Sequence, residues 1–277
     1  MARRQTVSIV GCGRVGGALG LALQRAGYTI TAAWSRSRTG RQRAHRILDV
    51  PVLGDPAEVA GAGDVVFVAV PDDAIGDVAG QLSAGVRTRA FVIHTSGGTS
   101  VDVLTPAREA GARIASMHPL QTIPDAVHGA DAIRGSAVAV TCGPEDRLEL
   151  FRVARAWGGR PFLLPDDAKA RYHAAAVFAS NFVVSSVWAA TTLLREVGLR
   201  DATSVLAPLL RGTVDNVVNR GPQKALTGPV LRGDAATIRR HLKELAASEP
   251  EVLEAYRALT KLTGHLAGAD DVVGDVL

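Results

Sequence analysis

Three glycines near the start of the chain have the spacing of a dinucleotide-binding turn. They follow the apolar run Val7–Val10 and precede an apolar helical pattern, in the order G-x-G-x-x-G. The first glycine permits a tight turn, the second lets the backbone approach a pyrophosphate, and the third lets the helix pack on the strand. The N–H groups that begin the helix would then bind the anion. The predicted cofactor-binding residues of this turn are Gly11, Cys12, Gly13, Arg14, Val15 and Gly16.

The end of the second predicted strand, Thr29–Trp34, indicates which dinucleotide is bound. Sites for NAD usually place an Asp or Glu here, which accepts hydrogen bonds from the ribose 2′-OH. This chain has Ser35, Arg36 and Ser37 instead, and no acidic residue occurs between them and Asp49. A guanidinium group grips a 2′-phosphate that a carboxylate would repel, and the serine hydroxyls donate further hydrogen bonds. The predicted cofactor is therefore NADP(H).

Three more arginines, Arg41, Arg43 and Arg46, complete a basic cluster after this strand. We interpret these three as a solvated basic loop. The net charge of the chain is +4, and the cluster has neither a reading helix nor an aromatic platform for bases. The sequence therefore predicts no nucleic-acid partner.

Three further turns directly follow predicted strands. Because ligands of a parallel sheet bind beyond the carboxyl ends of its strands, these turns are expected to line one crevice. Val70 and Pro71 are predicted to contact the cofactor. Ser96 and Thr95, with the neighbouring glycine amides such as that of Gly97, are predicted to hold a substrate carboxylate or the nicotinamide amide; an ordinary turn is the alternative. The three turns are Pro71–Asp73, Thr95–Gly98 and His118–Thr122.

The elements that position these residues fall into two groups. Short apolar runs alternate with helical patterns as far as Leu164, which is typical of a doubly wound, mostly parallel α/β sheet. After Pro165 only helical patterns remain. We therefore predict a Rossmann domain at residues 1–165 and an all-α domain at residues 166–277. The predicted strands are Val7–Val10, Thr29–Trp34, Val52–Leu53, Asp64–Val70, Phe91–His94, Ile114–Met117, Ala137–Thr141 and Pro161–Leu164. The predicted helices are Val15–Ala26, Glu145–Trp157, Asp166–Val197, Ala202–Asn219, Ala235–Ala247 and Glu251–Leu266.

The segment Ala174–Leu194 contains no charged residue and is long enough to cross a bilayer. It also carries several Ser, Thr and Asn residues, and no second such span accompanies it. We therefore predict a buried central helix, covered partly by another subunit, and no membrane partner. Residues 1–4 lead into the first strand without a signal peptide, and the two cysteines, Cys12 and Cys142, lie far apart. Both features predict a cytoplasmic protein.

Several motifs together resemble a known group of proteins. The glycine turn, the run Ala69-Val70-Pro71-Asp72 and the helical second domain are similar to the 6-phosphogluconate-dehydrogenase-like superfamily, which includes ketopantoate reductase, 3-hydroxyisobutyrate dehydrogenase and pyrroline-5-carboxylate reductase. More closely, the chain resembles a branch that joins a Rossmann-like domain to a C-terminal helical domain of unknown function. This resemblance implies an NADP-dependent oxidoreductase fold and a homodimer formed through the helical domain, but no particular substrate. The motifs that carry it are His94–Gly98, His118–Thr122, Tyr172–Ala175, Ser180-Asn181 and Thr227–Asp234.

Reduction of a C=O or C=N bond by hydride also requires a proton donor. Relatives in this superfamily commonly use a Lys and an Asn four residues apart on the first helix of the second domain. Here Lys169 is followed by His173 instead, and Asn181 lies two turns further on. At about 100° per residue, Lys169 and His173 share a helix face and Asn181 lies at its edge. We take His173 as the leading proton donor, oriented by Asn181, with Lys169 as a substitute.

Three of the candidate residues have structural alternatives. His173 and His118 are either catalytic or core histidines satisfied by backbone carbonyls. Arg232 either binds a substrate carboxylate or forms a surface pair with Asp234, which is predicted to cap a helix at Thr237.

The histidines His94, His118, His173 and His241 lack metal-ligand spacing, so no metal is predicted. The leading function is an NADPH-dependent reductase of a small carboxylated carbonyl or imine compound, with a 2-keto acid such as ketopantoate as the most concrete substrate. The alternatives are a pyrroline-5-carboxylate-type imine reductase and a non-catalytic NADP(H)-binding redox sensor.

Overall fold

A computed structural model of the chain describes residues 5–277, so the expectations that concern residues 1–4 lie outside the described residues. Seven strands form one sheet in the described part of the chain. They are β1 (Thr6–Val10), β2 (Thr29–Trp34), β3 (Val65–Val68), β4 (Phe91–His94), β5 (Arg113–Pro119), β6 (Ala137–Thr141) and β7 (Arg160–Leu163).

Helices connect the strands of the sheet and make up the rest of the chain. Short 3-10 turns lie at Asp72–Ala74, Val101–Leu104 and Asp166–Ala168. In the sheet region the α-helices are α1 (Arg14–Arg25), α2 (Arg38–Leu48), α3 (Pro56–Ala62), α4 (Ile75–Ser83), α5 (Thr105–Glu109), α6 (Ala126–Ala132) and α7 (Arg147–Ala156). They continue with α8 (Lys169–Ala179), α9 (Asn181–Glu196), α10 (Ala202–Arg220), α11 (Pro222–Ala225), α12 (Ala235–Leu245), α13 (Pro250–Ala267) and α14 (Asp270–Gly274).

The strand order is β2-β1-β3-β4-β5-β6-β7, and all neighbouring strands are parallel except β5 and β6. This confirms the predicted α/β Rossmann fold with a mostly parallel sheet. The strand order reverses at β1, because β2 lies on one side of it and β3 on the other. Ligands of doubly wound sheets bind at this switch point, beyond the carboxyl ends of the strands.

The predicted third strand, Val52–Leu53, does not form. Val52 makes only an isolated bridge to Ala33 beside β2. The segment is too short for a strand because it lies between Pro51, which has no N–H to donate, and Asp55, whose side chain already caps α3.

Apolar residues on both faces of the sheet bury it between helices. All four residues of β3 are buried, and their alternation places Val65 and Phe67 in one apolar cluster and Val66 and Val68 in the other. Trp157, at the end of α7, packs edge-on against Phe67 with ring centroids 6.3 Å apart. These two clusters hold the carboxyl ends of β1, β3 and β4 in fixed register.

The chain divides into two compact units, the first ending at Ser180 and the second comprising Asn181–Leu277. The change from α/β to all-helical structure follows β7, close to the predicted residues 165 and 166, but α8 belongs to the first unit. The position of the domain boundary therefore stays a prediction.

The single long helix predicted at Asp166–Val197 is interrupted. Ser180 separates α8 from α9 with φ −128° and ψ −74°, outside the α-helical region. Its N–H bonds to the carbonyl of Val177 instead of continuing the i→i−4 series. The angular relation between His173 and Asn181 assumed one uninterrupted helix, so it does not hold.

The region from Asp166 to Glu196 is long and apolar enough to cross a membrane by length and composition. The prediction that its central part is buried within the chain is wrong, because α9 exposes its large apolar side chains. Val184 is 69% exposed and Trp188 is 48% exposed, while Thr191 is the only buried residue of α9. The large apolar side chains of α9 are therefore exposed in the single chain.

Candidate functional site

The glycine turn lies at the switch point of the sheet, between β1 and α1. Gly11 has φ +98°, and a Cβ on it would collide with the carbonyl of Ala69. A Cβ on Gly16 would collide with the carbonyl of Gly11. Both positions thus require glycine. Gly11 needs it for its positive φ and for the close approach of the Ala69 carbonyl, and Gly16 needs it for the close approach of the Gly11 carbonyl.

Gly13 differs from the other two glycines because a Cβ there would meet nothing within 4 Å. Its position faces open space at the start of α1, where a dinucleotide backbone would pass. Among the described residues no side chain caps α1, and its first turn contains no acid. The free N–H groups and the positive end of the helix therefore fit a pyrophosphate. Arg14 is exposed and Val15 half-buried at this helix start.

The serine–arginine segment after β2 lies beside the glycine turn, because the Gly11 N–H donates to the Trp34 carbonyl over 2.8 Å. Ser35 is buried and Arg36 is exposed. The Ser37 hydroxyl accepts from the Gly40 N–H at 3.0 Å and so caps α2. The segment thus combines an exposed guanidinium with the start of a helix whose first turn contains no acid, which is what a 2′-phosphate requires.

The interpretation of Arg41, Arg43 and Arg46 as a loop is wrong, and the side chains of Arg41 and Arg43 also make hydrogen bonds within the chain. All three lie on α2, a helix that was not predicted because its many charged residues obscure the apolar pattern. Arg41 donates to the carbonyls of Ser35 and Arg36, and the Arg43 guanidinium donates to the Cys12 carbonyl over 3.2 Å. Arg43 therefore reaches the glycine turn itself, a role that the sequence analysis missed.

The Thr95–Gly98 turn is held together by its own side chains. The Ser96 hydroxyl donates to Asp72 over 2.6 Å and accepts from the N–H groups of Gly98 and Thr99. The Ser96 N–H donates to Nδ1 of His94. The amides of Ser96 and Gly98 are therefore already engaged, and the predicted carboxylate site at these amides loses two of its donors. Asp72 lies in the short turn after Val70 and Pro71.

Lys169, the first residue of α8, is buried directly beneath this turn with 1% of its surface exposed. Its ammonium donates to the Ser116 hydroxyl over 2.6 Å and to the Ser96 carbonyl over 3.2 Å. Burial lowers the pKa of Lys169 to about 8, and Asp166 and Asp72 oppose that shift. The lysine thus connects α8 to strand β5 and to the turn that follows β4.

His94 lies beside this lysine at the end of β4. Burial, and then the charge of Lys169, lower the pKa of His94 to about 4. His94 is therefore neutral near pH 7, and its Nδ1 accepts a hydrogen bond from the turn.

His118 and His173 converge on the same turn from β5 and α8. Their ring centroids are 6.0 Å apart. A Cβ on Gly97 would lie 2.9 Å from Nδ1 of His173 and 3.0 Å from the His118 ring. Gly97 is therefore needed for space, and the structure brings Ser96, His118 and His173 together at this turn. Thr95 is half-buried at the same strand end.

His118 also binds a residue to which the sequence analysis gave no role. Its Nδ1 lies 2.8 Å from the Tyr172 hydroxyl, and the two rings are edge-on. Burial, followed by the charges of His173 and Lys169, lowers the pKa of His118 to about 4. Burial raises the pKa of Tyr172 to about 12. Both groups are therefore neutral near pH 7. Tyr172 lies three residues after Lys169 and therefore on the same helix face, which is the sequence signal that could have added it to the candidate residues.

Two predicted site residues, Asn181 and Arg232, belong to the second unit, and both are exposed. Their roles stay predictions. The Asp234 carboxylate accepts from the Thr237 N–H over 3.0 Å, which confirms the predicted cap of α12.

The described residues contain no group of three or more His, Cys, Asp or Glu side chains that could hold a metal ion. Cys12 and Cys142 are both free thiols. Burial raises the pKa of Cys12 to about 12, so its thiol is not reactive near pH 7.

Two family models match the chain in succession. Residues 1–119 match a Rossmann-like domain, and residues 136–263 match a domain of unknown function (DUF2520). The predicted resemblance, a Rossmann-like domain with a C-terminal helical domain of unknown function, is confirmed. No curated protein sequence matches the chain.

Solved structures share the fold over nearly the whole chain. A proposed NADP oxidoreductase from Bacteroides fragilis is 24% identical, with 94% of this chain and 98% of that chain covered and a TM-score of 0.81. A reductive aminase from Aspergillus terreus in complex with NADPH and ethyl-5-oxohexanoate is 17% identical, with 95% and 94% covered and a TM-score of 0.68. An imine reductase from Myxococcus stipitatus in complex with NADP+ is 16% identical, with 98% and 99% covered and a TM-score of 0.65. At these identities the likeness is one of fold.

Proposed function

We propose that this chain, which joins a Rossmann-like domain to a domain of unknown function (DUF2520), is a reductase that takes its hydride from NADPH. The observation that carries the proposal is the glycine turn at the switch point of the sheet. There Gly13 faces open space and no side chain within residues 5–277 caps the start of α1. Solved structures of similar fold hold NADPH or NADP+, which supports the same cofactor here.

The preference for NADPH over NADH is assigned to the segment that follows β2 and to α2. Arg36 is exposed there, and no acid lies in the first turn of α2. Arg43 points its guanidinium at the glycine turn from the same helix. These two guanidinium groups would bind the 2′-phosphate, with Ser35 and Ser37 shaping the segment that carries Arg36. Val70 and Pro71 remain proposed cofactor contacts.

The bound cofactor supplies a hydride to the carbon of a C=O or C=N bond, and the protein supplies orientation and a proton. Ser96, Thr95 and His118 line the ends of β4 and β5, where the substrate would lie. His173 is the donor proposed from the sequence, with Asn181 as its orienter. The burial of Lys169 and its bonds to Ser116 and Ser96 support a positioning role rather than the substitute donor role.

The proposed substrate is a small carboxylated carbonyl or imine compound. Arg232 is the proposed carboxylate ligand, with Thr95 and Gly97 beside the reacting bond. A 2-keto acid such as ketopantoate tests the carbonyl class, and pyrroline-5-carboxylate tests the imine class. The fold shared with an imine reductase and a reductive aminase supports testing imines as well as carbonyl compounds.

The test is the loss of reduced-nicotinamide absorbance with purified protein, NADPH and a panel of 2-keto acids and cyclic imines. Turnover that Gly13→Ala abolishes is the expected result, because a methyl group there blocks the approach of the pyrophosphate. Gly80→Ala is the matched control, since Gly80 also faces open space but lies on α4. Tight NADPH binding without turnover of any substrate contradicts the reductase. That result supports the redox-sensor alternative, which the replacement of the expected Asn by His173 favours.

A homodimer formed through the second unit is part of the proposal. Large apolar side chains of α9 and α10 are exposed in the single chain, which is typical of surfaces that a partner covers. Sedimentation of Val184→Asp as a monomer would support a second copy as the partner, while Leu148→Asp, equally exposed on α7, serves as the control. Dimers of both variants would contradict the assignment to α9. The exposed side chains are Phe182, Val183, Val184, Trp188, Val205, Leu209, Val214, Val217 and Val218.

A further inference from the structure

We propose that Tyr172 is the catalytic proton donor of this site and that His118 is the residue that positions it and stabilises its phenolate. The inference rests on the proposed reductase function and adds to it a residue on α8 outside the sequence-based set.

The geometry places the Tyr172 hydroxyl at the ends of the central strands. Tyr172 lies on the first turn of α8, one helical turn after the buried Lys169. Its hydroxyl is 2.8 Å from Nδ1 of His118, which lies near the end of β5. The His118 ring in turn abuts Gly97, in the turn after β4. The His118 ring therefore connects the phenol to the turn where the substrate would bind, while the Tyr172 ring is held edge-on by His118 and Phe162.

The protonation states suit donation by the phenol. Burial lowers the pKa of His118 to about 4 and raises the pKa of Tyr172 to about 12. A neutral imidazole has one N–H donor and one acceptor nitrogen. When Nδ1 of His118 carries its proton, it donates to the phenol oxygen, and the Tyr172 O–H is left to donate to the substrate.

The other two candidates fit the role less well. The Lys169 ammonium is committed to Ser116 and Ser96, with almost no exposed surface. His173 is exposed and contacts His118 through its ring. Of Lys169, His173 and Tyr172, it is Tyr172 that is half-buried and has a hydroxyl within hydrogen-bond distance of a neutral partner, His118.

The step balances as a simple reduction. Hydride adds to the carbon of the C=O or C=N bond, and the electron pair of that bond moves to the heteroatom. The Tyr172 O–H bond breaks and its proton forms the new O–H or N–H bond. The phenolate that remains accepts the hydrogen bond from His118, and a proton from water restores the phenol before the next cycle.

The chain contains a matched control for this role. Tyr256 in the second unit makes the same contact, with its hydroxyl 2.8 Å from Nδ1 of His241. Tyr172→Phe and Tyr256→Phe therefore each remove one hydroxyl from the same type of pair and leave the ring in place.

The experiment measures turnover, NADPH affinity and phenol ionisation for the wild type and both variants. Tyr172→Phe is expected to lower kcat by about 10²- to 10⁴-fold with NADPH affinity unchanged, and Tyr256→Phe to leave kcat unchanged. Because the chain has three tyrosines, the ultraviolet titration of the wild type minus that of Tyr172→Phe isolates Tyr172. Its ionisation is expected near pH 12.

The outcomes separate this inference from the proposed function. Turnover by the wild type with an unaffected Tyr172→Phe overturns the donor role alone. A kcat that falls with His173→Ala and stays unchanged with Tyr172→Phe overturns it as well. Ionisation of Tyr172 below about pH 7, far under the ordinary tyrosine value, would leave a phenolate with no proton to donate near neutral pH and overturns the role without any assay of turnover. A wild type that binds NADPH but reduces nothing overturns the proposed function and this inference with it.

Discussion

The chain contains the same tyrosine–histidine pair twice, once in each unit. In the first, Tyr172 lies 2.8 Å from His118 with ring centroids 5.6 Å apart and planes at 86°. In the second, Tyr256 lies 2.8 Å from His241, with centroids 5.8 Å apart and planes at 85°. The local geometry of the two pairs is nearly identical, so any difference in chemistry comes from their surroundings.

The surroundings differ in burial and in neighbouring charge. His118 lies at the end of a central strand, near Lys169 and His173, and its pKa is lowered to about 4. His241 lies on the exposed side of α12 and contacts Tyr256 on α13. Burial raises the pKa of both tyrosines, and for Tyr172 the value reaches about 12. The two pairs therefore differ in burial and in neighbouring charge, and the catalytic use proposed for the first pair depends on that difference.

The first pair can also be broken through its neighbour Gly97, with a large expected effect on turnover. Gly97→Ala places a methyl group within 3.0 Å of both imidazoles and must displace them. A misplacement of about 1 Å at a catalytic group costs on the order of 100-fold in rate. We therefore expect kcat to fall by about that factor while NADPH affinity, measured by calorimetry, stays unchanged.

Gly80→Ala is the control for the Gly97 prediction, because this position on α4 faces open space. Its turnover should equal that of the wild type. Equal turnover of Gly97→Ala would show that His118 and His173 need not converge on this turn.

The stability of the folded chain in acid depends on two buried histidines, His94 and His118. The pKa values of His94 and His118 are lowered in the folded chain to about 4, from the ordinary histidine value of 6.5. The unfolded chain therefore binds more protons between these values, and the free energy of unfolding falls as pH drops from 6.5 towards 4. The loss is on the order of a few kcal/mol in total.

Urea unfolding at several pH values measures this dependence. His118→Gln should reduce the fall by about half, since His94 accounts for the rest. An unchanged fall in His118→Gln would mean that His118 is not held neutral in the folded state.

The smallest expected effect comes from the buried cation. Lys169→Met removes a positive charge that lowers the pKa of His118, so that pKa should rise. Nitrogen-15 NMR titration of the imidazoles measures the rise, and the resonances of His241 in the second unit should not move. A lower pKa for His118 in Lys169→Met would contradict the assigned cause.

Local patterns predicted most of the fold. The strands at Thr29–Trp34, Phe91–His94 and Ala137–Thr141 have the predicted ends, because buried strands are continuous apolar runs bounded by turn residues. The glycine turn could be found for the same reason, since its strand, glycines and helix are contiguous.

Other features depend on information that local patterns do not contain. Helix α2 was missed because Arg41 and Arg43 dominate its composition, although its apolar residues Ala44 and Leu48 are buried. The pairing of His118 with Tyr172 joins residues 54 positions apart in the chain. It is set by the packing of α8 against the strand ends, which no periodicity encodes.

The glycine turn and the helix α2 together form the proposed NADPH site. The most direct test is calorimetric measurement of the dissociation constants for NADPH and NADH with the wild type, Arg36→Ala, Arg43→Ala and the control Arg46→Ala. A charged hydrogen bond to phosphate contributes about 1.5–3 kcal/mol, so we predict tighter binding of NADPH than of NADH. We also predict a loss of about 10- to 100-fold in NADPH affinity for Arg36→Ala and Arg43→Ala, and none for Arg46→Ala. Tighter binding of NADH by the wild type would contradict the account.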